Sequence, residues 1–164
     1  MSIFDKFRKQ KKELDNNQNS NTNDGFKVHA VDGILKIELP EYWKPFESDR
    51  FRAKSSDEKT QISITNFGKD IKQPVGEALL KDVTLPLYDR FVAEGGFEPY
   101  DDLIVNDKFI SKSFKVDGET QYYLTAINVV GGKVIQTAII VRDIGDYNLE
   151  LRKVLLNIAE TIRF

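Results

Sequence analysis

The side chains that could do chemistry are few and poorly grouped. His29 is the only histidine, and cysteine is absent, which excludes disulfides, thiolate catalysis, zinc fingers and iron–sulfur ligation. One imidazole alone makes no transition-metal site, so a metal would have to be held by carboxylates. Two acidic groupings stand out, Asp101-Asp102 and Asp143 with Asp146, and both sit where turns and helix caps want short acidic residues. No twelve-residue loop of alternating acids offers a calcium site. Two carboxylates facing one cleft could run the general acid and base chemistry of a hydrolase, yet no spacing selects one pair. The phosphate-cradling G-x-x-x-x-G-K-[ST], the dinucleotide fingerprint G-x-G-x-x-G and the nucleophile elbow G-x-S-x-G are all missing. The sequence therefore offers no catalytic, cofactor-binding or metal-binding residue.

Charge and composition narrow the partners. The chain has 164 residues, 40% hydrophobic and 30% charged, with a net charge of −2, as expected for one soluble domain. Residues 1–13 carry five basic and two acidic side chains, so the rest holds 19 basic against 24 acidic, a balance of −5. A mildly acidic body argues against nucleic acid, which requires a basic face. The start of the chain lacks the apolar core and cleavage site of a secretory signal, and no window approaches a membrane span. A cytoplasmic location is the expectation.

The elements that would position any site are legible from periodicity and turn residues. Residues 2–14 can form a short basic amphipathic helix, with Ile3, Phe4, Phe7 and Leu14 on one side. An asparagine-rich linker follows, so 1–24 reads as a tail and 25–164 as the domain. Phe26, Val28 and Ala30 alternate into Asp32-Gly33, with Leu35, Ile37 and Leu39 returning inward; His29 then falls on the face opposite Val28 and Ala30. The run 41–46, with Tyr42, Trp43 and Phe46, reads as a bend in which Trp43 anchors the core, a ligand platform being the alternative. Residues 51–54 and 60–67 make a second hairpin. Pro74 opens a helix with Val75, Leu79, Leu80, Val83, Leu87 and Phe91 at helical spacing; Pro86 predicts a kink or restart before Gly95-Gly96. Residues 97–102 read as a loop.

The centre of the chain is 108–142. Asp117-Gly118 and Gly131-Gly132 are two-residue hairpin signals joining three long strands. Tyr122, Leu124 and Ala126 alternate with Tyr123, Thr125, Ile127 and Val129, so both faces are apolar and each calls for a cover. Asp146 is the expected cap of a last helix with Leu151, Val154, Leu155, Ile158 and Ile162 as its stripe. The class is α+β, a mostly antiparallel sheet of about six to eight strands with helices packed on it.

This order resembles the PsbP-like fold. The resemblance is carried by a strand closing in Leu39-Pro40 with Trp43 shortly after, a paired strand over 60–67, a mid-chain helix, a long meander, and a terminal helix ending in Glu160-Thr161-Ile162-Arg163-Phe164. It spans about 26–164 and implies an α/β/α sandwich. The group includes the extrinsic photosystem II subunit, a nuclear-import cofactor that binds the Ran GTPase, and bacterial DcrB-related proteins, some of them effector chaperones of type VI secretion. Its motifs contain no catalytic signature, so no site residue carries over. With no cofactor expected, the leading expectation is a non-enzymatic bacterial protein-binding module, such as an adaptor, chaperone or immunity-like protein. A carboxylate-dependent hydrolase is the alternative. A third reading is attachment to an anionic membrane through residues 1–14.

Overall fold

In a computed structural model, which describes residues 25–164, the chain runs in order through β1 (Phe26–Val31), β2 (Leu35–Pro40), β3 (Lys44–Phe46), β4 (Phe51–Lys54) and β5 (Thr60–Lys69). It continues through α1 (Glu77–Glu94), β6 (Glu98–Pro99), β7 (Ile104–Val105), β8 (Phe109–Val116), β9 (Glu119–Val130), β10 (Lys133–Ile144) and α2 (Leu149–Thr161). The class is α+β. One antiparallel sheet has the order β3-β4-β5-β10-β9-β8-β6, with β7 also paired to β8, while β1 and β2 form a separate ribbon. The tail and linker expected over 1–24 lie outside the described residues.

Turn chemistry sets the register of the meander. Asp117 and Gly118 take φ of 48° and 78°, and Gly131 and Gly132 take 58° and 79°. These left-handed conformations match a two-residue turn to the twist of its strands. The register then aligns Phe51, Ile64, Ile139, Leu124 and Ser111 in one row across five strands. A parallel row runs Ala53, Ile62, Val141, Tyr122 and Ser113. Leu151, Val154, Leu155 and Ile158 of α2, together with Val31, Leu35, Ile37, Leu39 and Trp43, cover those rows. The last residues add a bridge, Lys36 and Arg163 exchanging both backbone bonds at 2.7 and 3.0 Å.

The second face is covered less completely. Helix α1 packs on β8 and β9, where Leu79 and Leu80 meet Ile110, Ile127 and Val134. Further along this face, Ala138 and Ile140 are half-buried and Phe67 is exposed. The expectation that both faces need a cover holds for β8 and β9; on β5 and β10, Gln61, Ser63, Thr65 and Gln136 share the surface, and polar side chains tolerate water there.

Several sequence expectations are corrected. The run 41–46 is no simple bend, because Lys44–Phe46 pairs with β4. Residues 97–102 are not only loop: Glu98 and Pro99 pair with Lys115 and Phe114, and Ile104 and Val105 pair with Ser111 and Ile110. Strands this short carry no readable periodicity. The helix begins at Glu77 and not at Pro74, since Gly76 is the N-cap in extended backbone. Pro86 neither ends nor restarts it, as 77–94 is one helix; Asp82 and Pro86 are both exposed, so water can satisfy the carbonyl that the missing N–H leaves free. The inner face of α1 uses Leu79, Leu80, Thr84 and Tyr88, while Leu87 is exposed. Asn148 caps α2 in place of Asp146, its side chain accepting from the amides of Glu150 and Leu151.

The strands at the two ends of the sheet order, β3 and β6, have three and two residues, and each contains a proline, Pro45 and Pro99.

Candidate functional site

Two places in the fold gather groups that could serve a function. The first is polar and buried. Arg152 projects from α2 toward β8, almost wholly hidden, and its Nε lies 3.1 Å from Asp101 Oδ2. Its Nη1 bonds the Ser111 hydroxyl, which itself donates to the Tyr123 carbonyl at 2.6 Å. Asp101 Oδ1 accepts the Ser113 amide at 2.7 Å, and its Oδ2 accepts the Tyr147 hydroxyl at 3.3 Å. Lys112 Nζ reaches the Asp101 carbonyl at 2.8 Å.

These contacts define what the cluster can do. Asp101 meets donors on both carboxylate oxygens, so its side chain is held in place from α2, β8 and Tyr147 at once. Ser111 is fully buried and both of its hydrogen-bonding roles are taken. The arrangement pins three elements together, α2, the 99–104 crossing and the β8 edge, with an ion pair screened from water. Tyrosines brace it: Tyr147 lies between Tyr100 and Tyr122, 5.6 and 5.7 Å between ring centroids. The Tyr122 hydroxyl accepts the Asn148 amide at 2.6 Å, and burial pushes that phenol up to about 12. Burial and the Asp101 carboxylate raise Tyr147 as well.

The second place is apolar and open. Between the second half of α1 and the β6–β7 crossing runs a groove of about 340 Å³. Leu85, Tyr88, Val92 and Ala93 form one wall, Pro99 and Leu103 the other, and Phe114 and Lys112 the floor, with Asp89 the one carboxylate in the lining. An aromatic cluster stiffens the wall from behind. Tyr88 packs edge-on against Phe114 at 5.4 Å and Tyr123 at 6.1 Å, and Phe91 stacks on Phe97 at 4.6 Å. Burial drives the Tyr88 phenol strongly upward, so it stays neutral. The groove walls are thus set by close-packed rings, while Val92 stands 46% exposed.

The residues weighed from the sequence are scattered. Among the described residues, no group of three or more His, Asp or Glu converges to hold a metal ion. Asp143 accepts the Thr60 hydroxyl at 2.7 Å, and Asp146 and Asp102 are exposed. Trp43 is buried in the core, which removes it from any ligand platform. His29 lies on the face opposite Val28 and Ala30, as the alternation leads one to expect. It pairs with Ile37 across the ribbon, and facing residues of an antiparallel pair share a face, so its ring turns inward to Phe51 at 5.8 Å. Val28 is the exposed one. Burial, then Lys27 and Lys44, lower the imidazole below its ordinary range.

Sequence reasoning missed the Arg152 cluster altogether. Two signals were present: Ser111 and Ser113 alternate on an inward face between Phe109 and Phe114, and Arg152 adjoins the apolar stripe of α2. Small polar residues on a buried face require a polar partner.

The architecture defines an α+β protein with a mostly antiparallel sheet, and comparison with solved structures finds two partial likenesses, of which the first supports this fold. One is LpqN of Mycobacterium tuberculosis, a protein involved in cell envelope biogenesis. It is 14% identical to this chain, with 78% of this chain and 81% of that one aligned at a TM-score of 0.53. Another is a protein from Bacteroides thetaiotaomicron VPI-5482, 14% identical, with 85% of this chain covering 48% of that one at a TM-score of 0.43; this chain spans about half of its length. No family model and no curated protein matches.

Proposed function

We propose that the chain is a non-enzymatic protein-binding module of the PsbP-like, DcrB-related kind, an adaptor or chaperone working in the cytoplasm. The observation that carries this reading is the α1 groove, where apolar side chains are held open by a rigid aromatic backing, while the groups with chemical potential are locked in the Arg152 cluster. Concave apolar surface on a stiff frame is the common form of a recognition site. The likeness to a protein of cell envelope biogenesis supports looking for the partner first among envelope-assembly proteins. A two-carboxylate hydrolase draws no support from a groove lined by Asp89 alone.

The test is a pull-down from native lysate with the parent chain and with Val92→Asp. A protein partner retained by the parent and lost by the variant is expected. Recovery of no partner, together with turnover of a small substrate in an activity screen, overturns the reading.

A further inference from the structure

We infer that the overhanging edge of β5, residues 65–69, pairs with the same edge of a second copy of this chain, antiparallel and across a two-fold axis centred on Phe67. This surface is separate from the α1 groove, so its failure leaves the binding-module reading where it stands.

The edge is open because β5 is longer than its neighbour. Strand β4 begins at Phe51, opposite Ile64, whereas β5 runs on to Lys69 and stays paired with β10 as far as Val134. Alternate residues of an antiparallel strand turn their backbone groups to opposite sides. The Ile144 amide donates to the Lys59 carbonyl at 3.1 Å and the Ser55 amide to the Thr60 carbonyl at 2.9 Å, so odd positions of β5 face β10 and even positions face the β4 side. Asn66 and Gly68 therefore aim their amides and carbonyls past the end of β4, where no backbone group among the described residues meets them. The prolines of β3 and β6 lie elsewhere and do not guard this stretch.

Two side-chain positions show that another backbone belongs there. Glycine within a strand weakens it, yet nothing in the single chain calls for Gly68: its φ is not among the positive ones, and a Cβ added to it would meet nothing within 4 Å. A strand glycine without such a cause marks the close approach of a second backbone. Phe67, pointing to the other face, is 44% exposed, with the Lys69 ammonium 5.7 Å from its ring centroid.

The edge is its own complement. Centred on Phe67, the two-fold sets Asn66 opposite Gly68 of the second copy, and Gly68 opposite Asn66 of the second copy, both at hydrogen-bonded positions. Asn66 is engaged on its face by the ribbon turn, its amide donating to Asp32 at 2.9 Å, so the residue opposite must be small, and it is glycine. The two Phe67 rings then face each other at the non-hydrogen-bonded position, where opposed side chains come closest. Lys69 falls opposite Thr65, and no like charges are opposed. An axis on Asn66 would set Gly68 against Ile64, a place that β4 already fills; an axis on Gly68 would set Asn66 against Asp70, beyond the strand. A foreign strand would meet the backbone groups equally well; the match of Asn66 to Gly68 and of Phe67 to itself is what selects this chain. So short a ladder gives a small interface and an association that depends on concentration.

The chain contains no cysteine, so one engineered cysteine reports the register. Full-length Phe67→Cys, treated with copper phenanthroline, should give a disulfide-linked dimer in roughly tenfold higher yield than Thr65→Cys or Lys69→Cys, whose equivalents lie too far apart to bridge. Adding Gly68→Pro withdraws an outward amide and should abolish the link. Adding Gly68→Val, which the single chain accommodates with an unchanged or raised melting temperature, should lower it by crowding Asn66 of the second copy. Without crosslinking, sedimentation of the parent should rise from the 18.8 kDa monomer toward twice that mass between about 10 µM and about 1 mM, while Phe67→Asp stays monomeric. The inference is overturned by equal linkage at the three cysteines, by linkage that survives both Gly68 variants, by a parent of 18.8 kDa at every concentration, or by Phe67→Cys capturing a different protein from lysate in place of a second copy.

Discussion

The Arg152 cluster and the α1 groove lie on opposite faces of β8 and invert the usual relation between chemistry and exposure. In the cluster, charged and hydroxyl groups are buried and tied to one another. In the groove, valine, alanine and proline carbons stand open to water over a bed of buried rings. Charge brought into the interior raises the cost of any rearrangement, because each partner loses its counter-charge when the other leaves; apolar surface left outside lowers nothing in the free protein and is relieved when something covers it. One region therefore holds the frame, and the other is the surface at which a partner is proposed to bind.

That contrast can be broken most forcefully at Asp101. Asp101→Ala leaves Arg152 buried without its counter-ion and should cost about 3–5 kcal/mol in urea unfolding, whereas adding Arg152→Met should recover much of the loss. An Asp101→Ala protein that unfolds like the parent ends the view of this pair as a fastening. Next come Leu124→Ala and Ile139→Ala, which open cavities in the shared row of β9 and β10 and should cost about 2–5 kcal/mol, a loss readable as a lowered urea midpoint. At the groove the expectation reverses: Val92→Ser should shift stability by no more than about 0.5 kcal/mol while removing partner capture. A large drop in melting temperature there means that the stripe is core.

The smallest effect belongs to His29. Its folded-state pKa is lowered, by burial first and then by Lys27 and Lys44, so the unfolded chain takes up a proton more readily. The stability from this group is fully present above the ordinary value of 6.5 and is lost as pH falls through the lowered one. His29→Gln should flatten the stability profile below pH 6.5, as followed by thermal melts across that range; an unchanged slope shows that the ring is already solvated.

The parts of this fold legible in the sequence are those written locally. Asp117-Gly118 and Gly131-Gly132 mark the meander because positive φ is a property of the residues themselves, and Leu151, Val154, Leu155 and Ile158 mark α2 through one period. What was hidden depends on distant partners. Arg152 meets Asp101 and Ser111 only after the sheet forms, and no spacing announces it. Alternation separates His29 from Val28 and Ala30, but which of the two faces is the inner one is decided by the pairing of His29 with Ile37 across the ribbon. On α1, Val83 with Leu87 and Thr84 with Tyr88 are neighbouring stripes, and the rings of Phe114 and Tyr123 decide between them. The groove itself escaped because its walls come from two elements, one of which, β6, is two residues long.

The two prolines at the rims of the sheet, Pro45 and Pro99, bear on how this molecule behaves in a crowded solution. A sheet grows by offering backbone N–H groups to a newcomer strand; at each rim a proline withdraws one such donor, and strands of three and two residues leave little length to template pairing. Along β3 and β6 copies of the protein thus find little ladder on which to stack edge to edge, and on the β8 side only the two residues of β7 remain beside it. Recruitment at these margins must then be read by side chains, through shape and charge, and not by the sequence-blind grip of one backbone on another.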